Sequence, residues 1–190
     1  MANFVRRLRL PQLLLFCALA VLLLFAVMRT PHYLRRLYPY HHRQLIELYA
    51  FQYGVDPLLV VAVMQAESNF RADAVSWKGA LGLMQVMPET AQWIARRQGL
   101  AELKREEILD PEMNIRLGTW YLAYLLEQFA GRVDVVIAAY NAGPGQVSAW
   151  LADQTWSGRY ADRHKIPFAE TRQFLVKVRK AYTKYQQLYR

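Results

Sequence analysis

A single carboxylate at the end of an apolar helix is the best candidate in this sequence for acid catalysis. Glu67 follows the apolar stretch LLVVAVMQA and precedes a glycine-punctuated segment that ends in GALGLMQVM. Because burial disfavours the charged form of an acid, we expect the pKa of Glu67 to be raised. A carboxylic acid that stays protonated near neutral pH can act as a general acid. Taken alone, a Glu after an apolar helix is more often a last-turn residue that reaches solvent.

The sequence offers few alternatives to this chemistry. Its one cysteine, Cys17, lies in an apolar N-terminal run, so there is no disulfide framework and no thiolate metal site. There is no HExxH pair and no phosphate-binding glycine loop, and Ser68 has no evident His partner. We therefore predict neither a metal nor a cofactor. Amide and hydroxyl side chains near helix ends, with many aromatic residues, suit sugar chemistry.

Helices must position these residues, because no stretch of the sequence alternates as a strand does. Asp56-Pro57 and Asp110-Pro111 each join an N-cap to a proline at the first helical position, which is a strong helix-start signal. The pattern predicts further helices from Pro88 to near Gly99 and over 133–140, 147–151 and 170–189, with a loop over 156–167. The NAGPG segment at 141–145 should break the helix before it. The sequence therefore predicts one all-α domain.

The N-terminal segment has the length of a membrane span. The apolar run at 13–28, extended by Leu10 and Pro11, approaches the ~20 residues needed to cross the hydrocarbon core. Three arginines precede it and favour a cytoplasmic N-terminus, but three more follow it and weaken that orientation (Arg6, Arg7 and Arg9; Arg29, Arg35 and Arg36). A cleaved signal peptide is the competing interpretation, yet the apolar run continues past the small residues at 18–20. We predict an uncleaved anchor over 1–30, a juxtamembrane linker over 31–43 and a domain over 44–190.

The composition narrows the choice of partners. A hydrophobic content of 54% is too high for a disordered chain. The net charge of +9 is spread along the sequence, which is typical of a protein that works beside anionic material. No nucleic-acid motif is present, so we predict no nucleic-acid partner. Anionic lipid headgroups or an anionic cell-wall polymer fit better.

Four motifs in order give the sequence a specific resemblance. They are Glu67-Ser68, Gly82-Leu83-Met84-Gln85, Ala139-Tyr140-Asn141 and the segment IPFAETRQF at 166–174. Together they resemble the successive motifs of the soluble-lytic-transglycosylase (SLT) domain, a family of the lysozyme-like superfamily, from Tyr49 to about Tyr189. The resemblance implies a single lysozyme-like helical domain, here preceded by one transmembrane helix.

The resemblance also implies an activity and a site. The family cleaves the β-1,4 bond between N-acetylmuramic acid and N-acetylglucosamine in peptidoglycan and forms 1,6-anhydro ends, with Glu67 as the sole acid and base here. Ser76, Gln85 and Met87 would line the groove for the glycan strand. Tyr140 would orient Glu67, and Asn141 would shape the loop beside it. Glu170 would support the groove from the far side, while Phe174 stands where the family usually has an aromatic hydroxyl.

Alternatives remain open for the function and for single residues. A goose-type lysozyme would use further carboxylates to hold a hydrolytic water, and a glycan-binding module would use no catalysis. Met87 could be a plain loop or core residue, Asn141 a helix-end residue, and Glu170 a favourable charge at a helix N-terminus. We predict a membrane-anchored domain on the extracytoplasmic side of the cytoplasmic membrane. Its protein partners, its oligomeric state and its choice of internal or terminal cleavage stay open.

Overall fold

The computed structural model describes residues 10–190, and the prediction made from Arg6, Arg7 and Arg9 lies outside the described residues. The chain divides into two compact units, Met1–Pro39 and Tyr40–Arg190. The first unit contains helix α1 (Leu10–Met28) and helix α2 (Pro31–Leu37). The stretch predicted to be a linker therefore begins with a helix, because Pro31 stands at its first position and the Thr30 hydroxyl accepts a hydrogen bond from the backbone N–H of Tyr33 (3.3 Å).

No described helix is by itself both long and apolar enough to cross a bilayer. The stretch Leu14–Met28 reaches the necessary length and composition only together with α2, from which it is bent by 65°.

The second unit is helical. Its elements are α3 (Arg43–Tyr53), α4 (Pro57–Ser68), α5 (Pro88–Arg97), α6 (Arg105–Leu109), α7 (Pro111–Gln128), α8 (Val133–Ala142), α9 (Pro144–Ala152), a 3₁₀ helix (Tyr160–Lys165) and α10 (Ala169–Tyr189). Within residues 10–190 there is no β-strand. Two isolated β-bridges, Val75–Leu81 and Leu81–Val86, lie in the loop between α4 and α5. The all-α prediction is confirmed for the described residues.

Helix α4 forms the centre of the core. Its residues from Leu58 to Met64 are all buried, and it packs mainly against α10 and α3. The Asp56 carboxylate accepts a hydrogen bond from the backbone N–H of Leu58 (2.8 Å) at the start of the helix. The Tyr182 hydroxyl, from α10, donates to the same carboxylate (2.7 Å). The predicted start of this helix is thus confirmed, and the capping residue also joins α4 to α10.

Most predicted boundaries agree with the structure, and the exceptions have local causes. Helix α8 continues through Asn141 to Ala142, because the break falls at Gly143 (φ +86°). Helix α9 starts at Pro144, three residues earlier than predicted, since proline suits the first helical position. In the second unit two short elements were not predicted, α6 and the 3₁₀ helix inside the predicted loop.

Candidate active site

Glu67 is the penultimate residue of α4, and the helix ends immediately after it. Asn69 adopts the left-handed conformation (φ +51°) and its N–H closes the last turn on the carbonyl of Gln65. Phe70 also has a positive φ (+64°), which is a real strain for an aromatic residue. This abrupt stop fixes Glu67 at the rim of the core, beside the loop 69–87.

The carboxyl group of Glu67 has an unusual proton affinity. Its pKa is raised from 4.5 to about 8; burial and the negative charge of Glu170 raise it, and the positive charge of Lys177 lowers it. Burial is the largest of the three effects, as expected for an acid at the end of a largely apolar helix. The group is thus protonated at neutral pH and close to the point at which it can both give and take a proton.

Three side chains hold the loop that faces this acid. The Ser68 hydroxyl donates to the carbonyl of Leu83 (2.7 Å), and the Tyr140 hydroxyl donates to the carbonyl of Met84 (2.9 Å). The amide of Asn114 accepts from the N–H of Met84 (2.7 Å). We call the segment 81–86, with these contacts, the clasped loop.

Asn114 is the most constrained of these groups. Its side chain is fully buried, and its amide nitrogen donates to the carbonyls of Leu81 (2.9 Å) and Ile108 (2.8 Å). Together with the bond from Met84, both polar atoms of the amide have partners, and both N–H groups are used. A Cβ at Gly82 (φ +74°) would lie 2.5 Å from this amide nitrogen. Glycine is therefore required at 82 both for its backbone conformation and for the close approach of Asn114.

Tyr140 is placed between the acid and an aromatic cluster. Burial raises its pKa well above the usual value, and negative charge on Glu67 raises it further. The phenol therefore stays neutral and donates a hydrogen bond to the carbonyl of Met84. Its ring packs against Tyr121 (centroids 5.4 Å apart) and is nearly parallel to Phe174 (6.5 Å). The ring at position 174 therefore supports Tyr140 by packing, without a hydroxyl.

Asn141 lies one residue beyond the predicted end of its helix, where the alternative of a helix-end residue placed it. It lies in the last turn of α8, not in a loop, and its side-chain oxygen accepts a hydrogen bond from the hydroxyl of the buried Thr171 (2.7 Å). This contact joins α8 to α10 directly behind Tyr140. Helix α8 includes Asn141 because the break in the chain falls two residues later, at Gly143.

Gln85 and Ser76 are occupied in stabilising their own loops. Gln85 has a positive φ (+48°), and its side-chain nitrogen donates to the carbonyls of Ala74 (3.1 Å) and Gly82 (2.8 Å). The side-chain oxygen of Gln85 is the atom that remains available to bind a ligand. The Ser76 hydroxyl accepts from the N–H of Ala80 (2.9 Å), which leaves its own proton to donate.

Glu170 and Met87 are the remaining predicted residues. Glu170 is exposed in the first turn of α10, forms an ion pair with Lys78 (2.7 Å), and acts through its charge on Glu67. Because Lys78 and Ser76 belong to the same turn, this ion pair brings the loop 76–80 to the start of α10. Met87 precedes α5 and is half-buried, and the described contacts do not connect its side chain to Glu67.

Several residues that shape the site were not predicted from the sequence. Asn114, from α7, bonds the backbone of Met84, whereas Thr171 and Lys177, both from α10, respectively bond Asn141 and act by charge on Glu67. Asn114 leaves one signal in the sequence, since it is a polar residue on the apolar face that Ile115 and Leu117 begin. Nothing in the sequence indicates the positions of Thr171 and Lys177 relative to Glu67.

An aromatic cleft continues from Tyr140. Trp93, Trp120 and Tyr124 pack edge-to-face or stacked, with centroids 4.9 to 5.8 Å apart. A cleft of about 270 Å³ opens between this cluster and Pro144, with Tyr121 as the link to Tyr140. Flat aromatic faces beside a protonated acid are suited to holding pyranose rings next to an acid catalyst.

Comparison with known proteins identifies the family to which the sequence is similar. The Transglycosylase SLT domain family matches residues 44–162. The soluble lytic murein transglycosylase of Salmonella typhimurium is 34% identical over 150 residues, covering 77% of this chain and 23% of that protein. The membrane-bound lytic murein transglycosylase C of Serratia proteamaculans is 36% identical over 156 residues, covering 71% of this chain and 44% of that protein.

A solved structure agrees with the fold. The inactive mutant of lytic transglycosylase Slt from Pseudomonas aeruginosa, in which a glutamate is replaced by glutamine, superposes with a TM-score of 0.73 at 36% identity. The match covers 82% of this chain and 25% of that one. The chain thus spans less than half the length of each of these proteins.

Proposed function

Because the chain belongs to the Transglycosylase SLT domain family, we propose that it is a lytic transglycosylase of peptidoglycan. Its substrate is the β-1,4 bond between N-acetylmuramic acid and N-acetylglucosamine. The observation that carries the proposal is the position of the Glu67 carboxyl group at the end of the apolar helix α4, where burial is the main cause of a pKa raised to about 8. The names of its relatives, all lytic transglycosylases, support the same reaction.

One carboxyl group performs both proton transfers in this reaction. Glu67 first gives its proton to the glycosidic oxygen, and the bond between that oxygen and C1 of the muramic acid breaks. The acetamido oxygen of the substrate supports the positive charge at C1. The Glu67 carboxylate then takes the proton of the 6-hydroxyl as that oxygen bonds to C1, which gives the 1,6-anhydro ring and restores the acid. A pKa near the working pH suits a group that must do both.

The neighbouring residues hold this acid and the sugar in place. Tyr140, as a neutral phenol, donates a hydrogen bond to the carbonyl of Met84 and so keeps the clasped loop beside Glu67. We assign Gln85, through its amide oxygen, and Ser76, through its hydroxyl proton, to the acetamido and hydroxyl groups of the glycan. Glu170 and Asn141 support the groove from α10 and α8. We also place Met87, immediately before α5, in the wall of the glycan groove.

A hydrolytic reaction is the alternative, and it would require a second carboxylate near Glu67. Glu170 is a second carboxylate close enough for its charge to raise the pKa of Glu67. An inverting or water-holding mechanism would need such a group free to polarise water. Glu170 is instead exposed and paired with Lys78, which favours the water-free reaction.

We further propose that the first unit anchors the protein to the cytoplasmic membrane with the catalytic domain outside. The apolar helix α1, with α2 beyond it, supplies the span by length and composition. The membrane-bound relative from Serratia proteamaculans supports membrane association. Peptidoglycan lies outside this membrane, so the orientation follows from the substrate.

Glu67→Gln tests the catalytic assignment. The amide keeps the shape of the side chain but cannot donate the proton, and general acid catalysis is worth about 10²- to 10⁴-fold. We expect release of soluble fragments from purified peptidoglycan to fall by at least about 10²-fold. Glu102→Gln, an exposed carboxylate outside the site, should leave the rate unchanged. A Glu67→Gln variant that keeps full activity would rule out the assignment.

A further inference from the structure

A basic cleft lies beside the proposed active site. It has a volume of about 860 Å³ between the 3₁₀ helix and α10. Four of its lining residues carry basic side chains (Arg163, His164, Arg172 and Lys177). No ion pair with a carboxylate is found for Arg163, Arg172 or Lys177 within residues 10–190.

Two of these cations are held in position by the backbone. Arg172 donates to the carbonyls of Ile166 and Pro167 at the end of the loop before α10. Arg163 donates to the carbonyl of Tyr160 (3.1 Å) and lies over the Tyr160 ring, 4.4 Å from its centre. A guanidinium fixed on one edge keeps its other N–H groups for an anion, with less ordering to do on binding.

Helix α10 connects the basic cleft to the surroundings of Glu67. Lys177 lies two turns after Glu170 on the same helix, and both charges act on Glu67. The side chains of this face that line the cleft, Gln173 and Val176, are exposed, whereas Phe174 and Val178 face the core. An anion in the cleft can therefore belong to the same molecule that engages Glu67.

We propose that this cleft binds the carboxylates of the peptide stem attached to the muramic acid that is cleaved at Glu67. The inference rests on the proposed function, because it takes the bound sugar from there. The stem carries free carboxylates at its backbone end and on its acidic side chain, and a planar guanidinium pairs with a carboxylate through two hydrogen bonds. The enzyme accordingly prefers glycan strands that carry peptide stems to bare glycan.

The two carboxylates nearest this cleft in the chain, Asp162 and Glu170, have partners of their own, and Glu170 pairs with Lys78. Asp162, on the 3₁₀ helix, accepts a hydrogen bond from the Ser157 hydroxyl (2.6 Å) and also faces His164 and Lys165. The charge of Asp162 thus interacts with His164, Lys165 and Arg159. Arg163, Arg172 and Lys177 remain as the excess positive charge that faces the space.

Binding measured without turnover tests the proposal. The full chain carrying Glu67→Gln, in mild detergent, is titrated calorimetrically with a disaccharide that bears a short acidic peptide, and with the same compound after amidation of its carboxylates. We expect the free acid to bind roughly three- to tenfold more tightly, the range for a few exposed charge contacts. Adding Arg163→Gln and Lys177→Gln should remove that difference, while Arg105→Gln, an exposed arginine on α6 outside the cleft, should preserve it.

Three outcomes decide between the possibilities. Equal affinity for the acid and the amidated compound overturns the proposal. A glycerol phosphate oligomer that binds the cleft more tightly than the peptide-bearing sugar also overturns it, because the anion is then a phosphate polymer. If the native chain shows no turnover on peptidoglycan but the Glu67→Gln chain keeps the carboxylate-dependent binding, the proposed function fails and the stem site stands.

Discussion

At the level of single residues, Glu67 shows how catalysis and stability oppose each other. An acid at the end of a helix buried on every side loses most of its water, and its pKa rises to about 8. The same burial that makes it a proton donor at neutral pH makes its charged form costly in the folded protein. The sequence predicted this residue because the apolar run before it is local information.

The pH dependence of folding follows from that pKa. Unfolded, Glu67 loses its proton near pH 4.5, whereas folded it keeps the proton until about pH 8. The folded state therefore binds the extra proton in this window, and its stability falls as the pH rises through it. Glu67→Gln removes the effect, so the variant should be more stable than the native chain above pH 8, by about 1.4 kcal/mol per pH unit of the window at most.

Urea unfolding at pH 4, 6 and 8.5 (chosen as roughly the two ends and the middle of the window) checks this expectation. The two chains should unfold alike at the lowest pH and diverge as the pH rises. Glu102→Gln, which removes an exposed carboxylate, should track the native chain throughout. A constant difference between Glu67→Gln and the native chain would contradict the raised pKa.

The predicted residues around Glu67 show what sequence reasoning could not reach. Gln85 was expected to line the glycan groove, and the use of its amide nitrogen by the carbonyls of Ala74 and Gly82 was not indicated by the sequence. Asn141 was placed just after the predicted helix end, but it lies within α8 and accepts a hydrogen bond from Thr171. Both outcomes depend on contacts between segments far apart in the chain, which local patterns do not encode.

At the level of elements, the helix starts were predictable and the clasped loop was not. Asp56 and Asp110 cap their helices as the Asp-Pro pairs predicted. The clasped loop is held by Ser68, Asn114 and Tyr140, which come from three different helices. Its shape therefore depends on how α4, α7 and α8 pack, and within the loop itself on Gly82 and Gln85.

Gly82→Ala tests the clasped loop. A methyl group at 82 would meet the Asn114 amide, which cannot move without breaking three hydrogen bonds. We expect a loss of stability of about 3 kcal/mol, of which about 1 to 2 kcal/mol is backbone strain. Chemical denaturation measures the change, and the rate on peptidoglycan should fall with it because the loop faces Glu67.

Gly99→Ala is the matched control for that change. Gly99 has nearly the same φ (+67°), but a Cβ there meets nothing within 4 Å. It should cost only the strain of the left-handed conformation. If the two substitutions cost the same, the close approach of Asn114 contributes nothing and the description of the loop is wrong.

At the level of the whole molecule, the chain combines an apolar segment with a separate helical unit. The boundary lies between Pro39 and Tyr40. The family resemblance predicted from four motifs is confirmed by the match over residues 44–162. The family could be predicted because each motif is a contiguous stretch of sequence. The anchor was predicted from composition alone, and helix α1 by itself is not long and apolar enough for a span.

Removal of residues 1–39 tests the division into two units. The remaining chain has its own buried core around α4, so it should keep its helical circular dichroism and cooperative unfolding. In fractionated cells the full chain should sediment with the membranes and the shortened one should not. A shortened chain that still sediments with membranes would place the membrane contact in the helical unit.

The reaction itself is tested most directly by the origin of the oxygen at the new chain end. Purified peptidoglycan is digested with the full chain in water enriched in heavy oxygen, and the products are weighed by mass spectrometry. An enzyme in which Glu67 directs the 6-hydroxyl to C1 gives anhydro ends that are lighter by one water and carry no heavy oxygen. Reducing ends that carry one heavy oxygen would mean that water attacks C1, and would contradict the account of Glu67 as the sole acid and base of a transglycosylase.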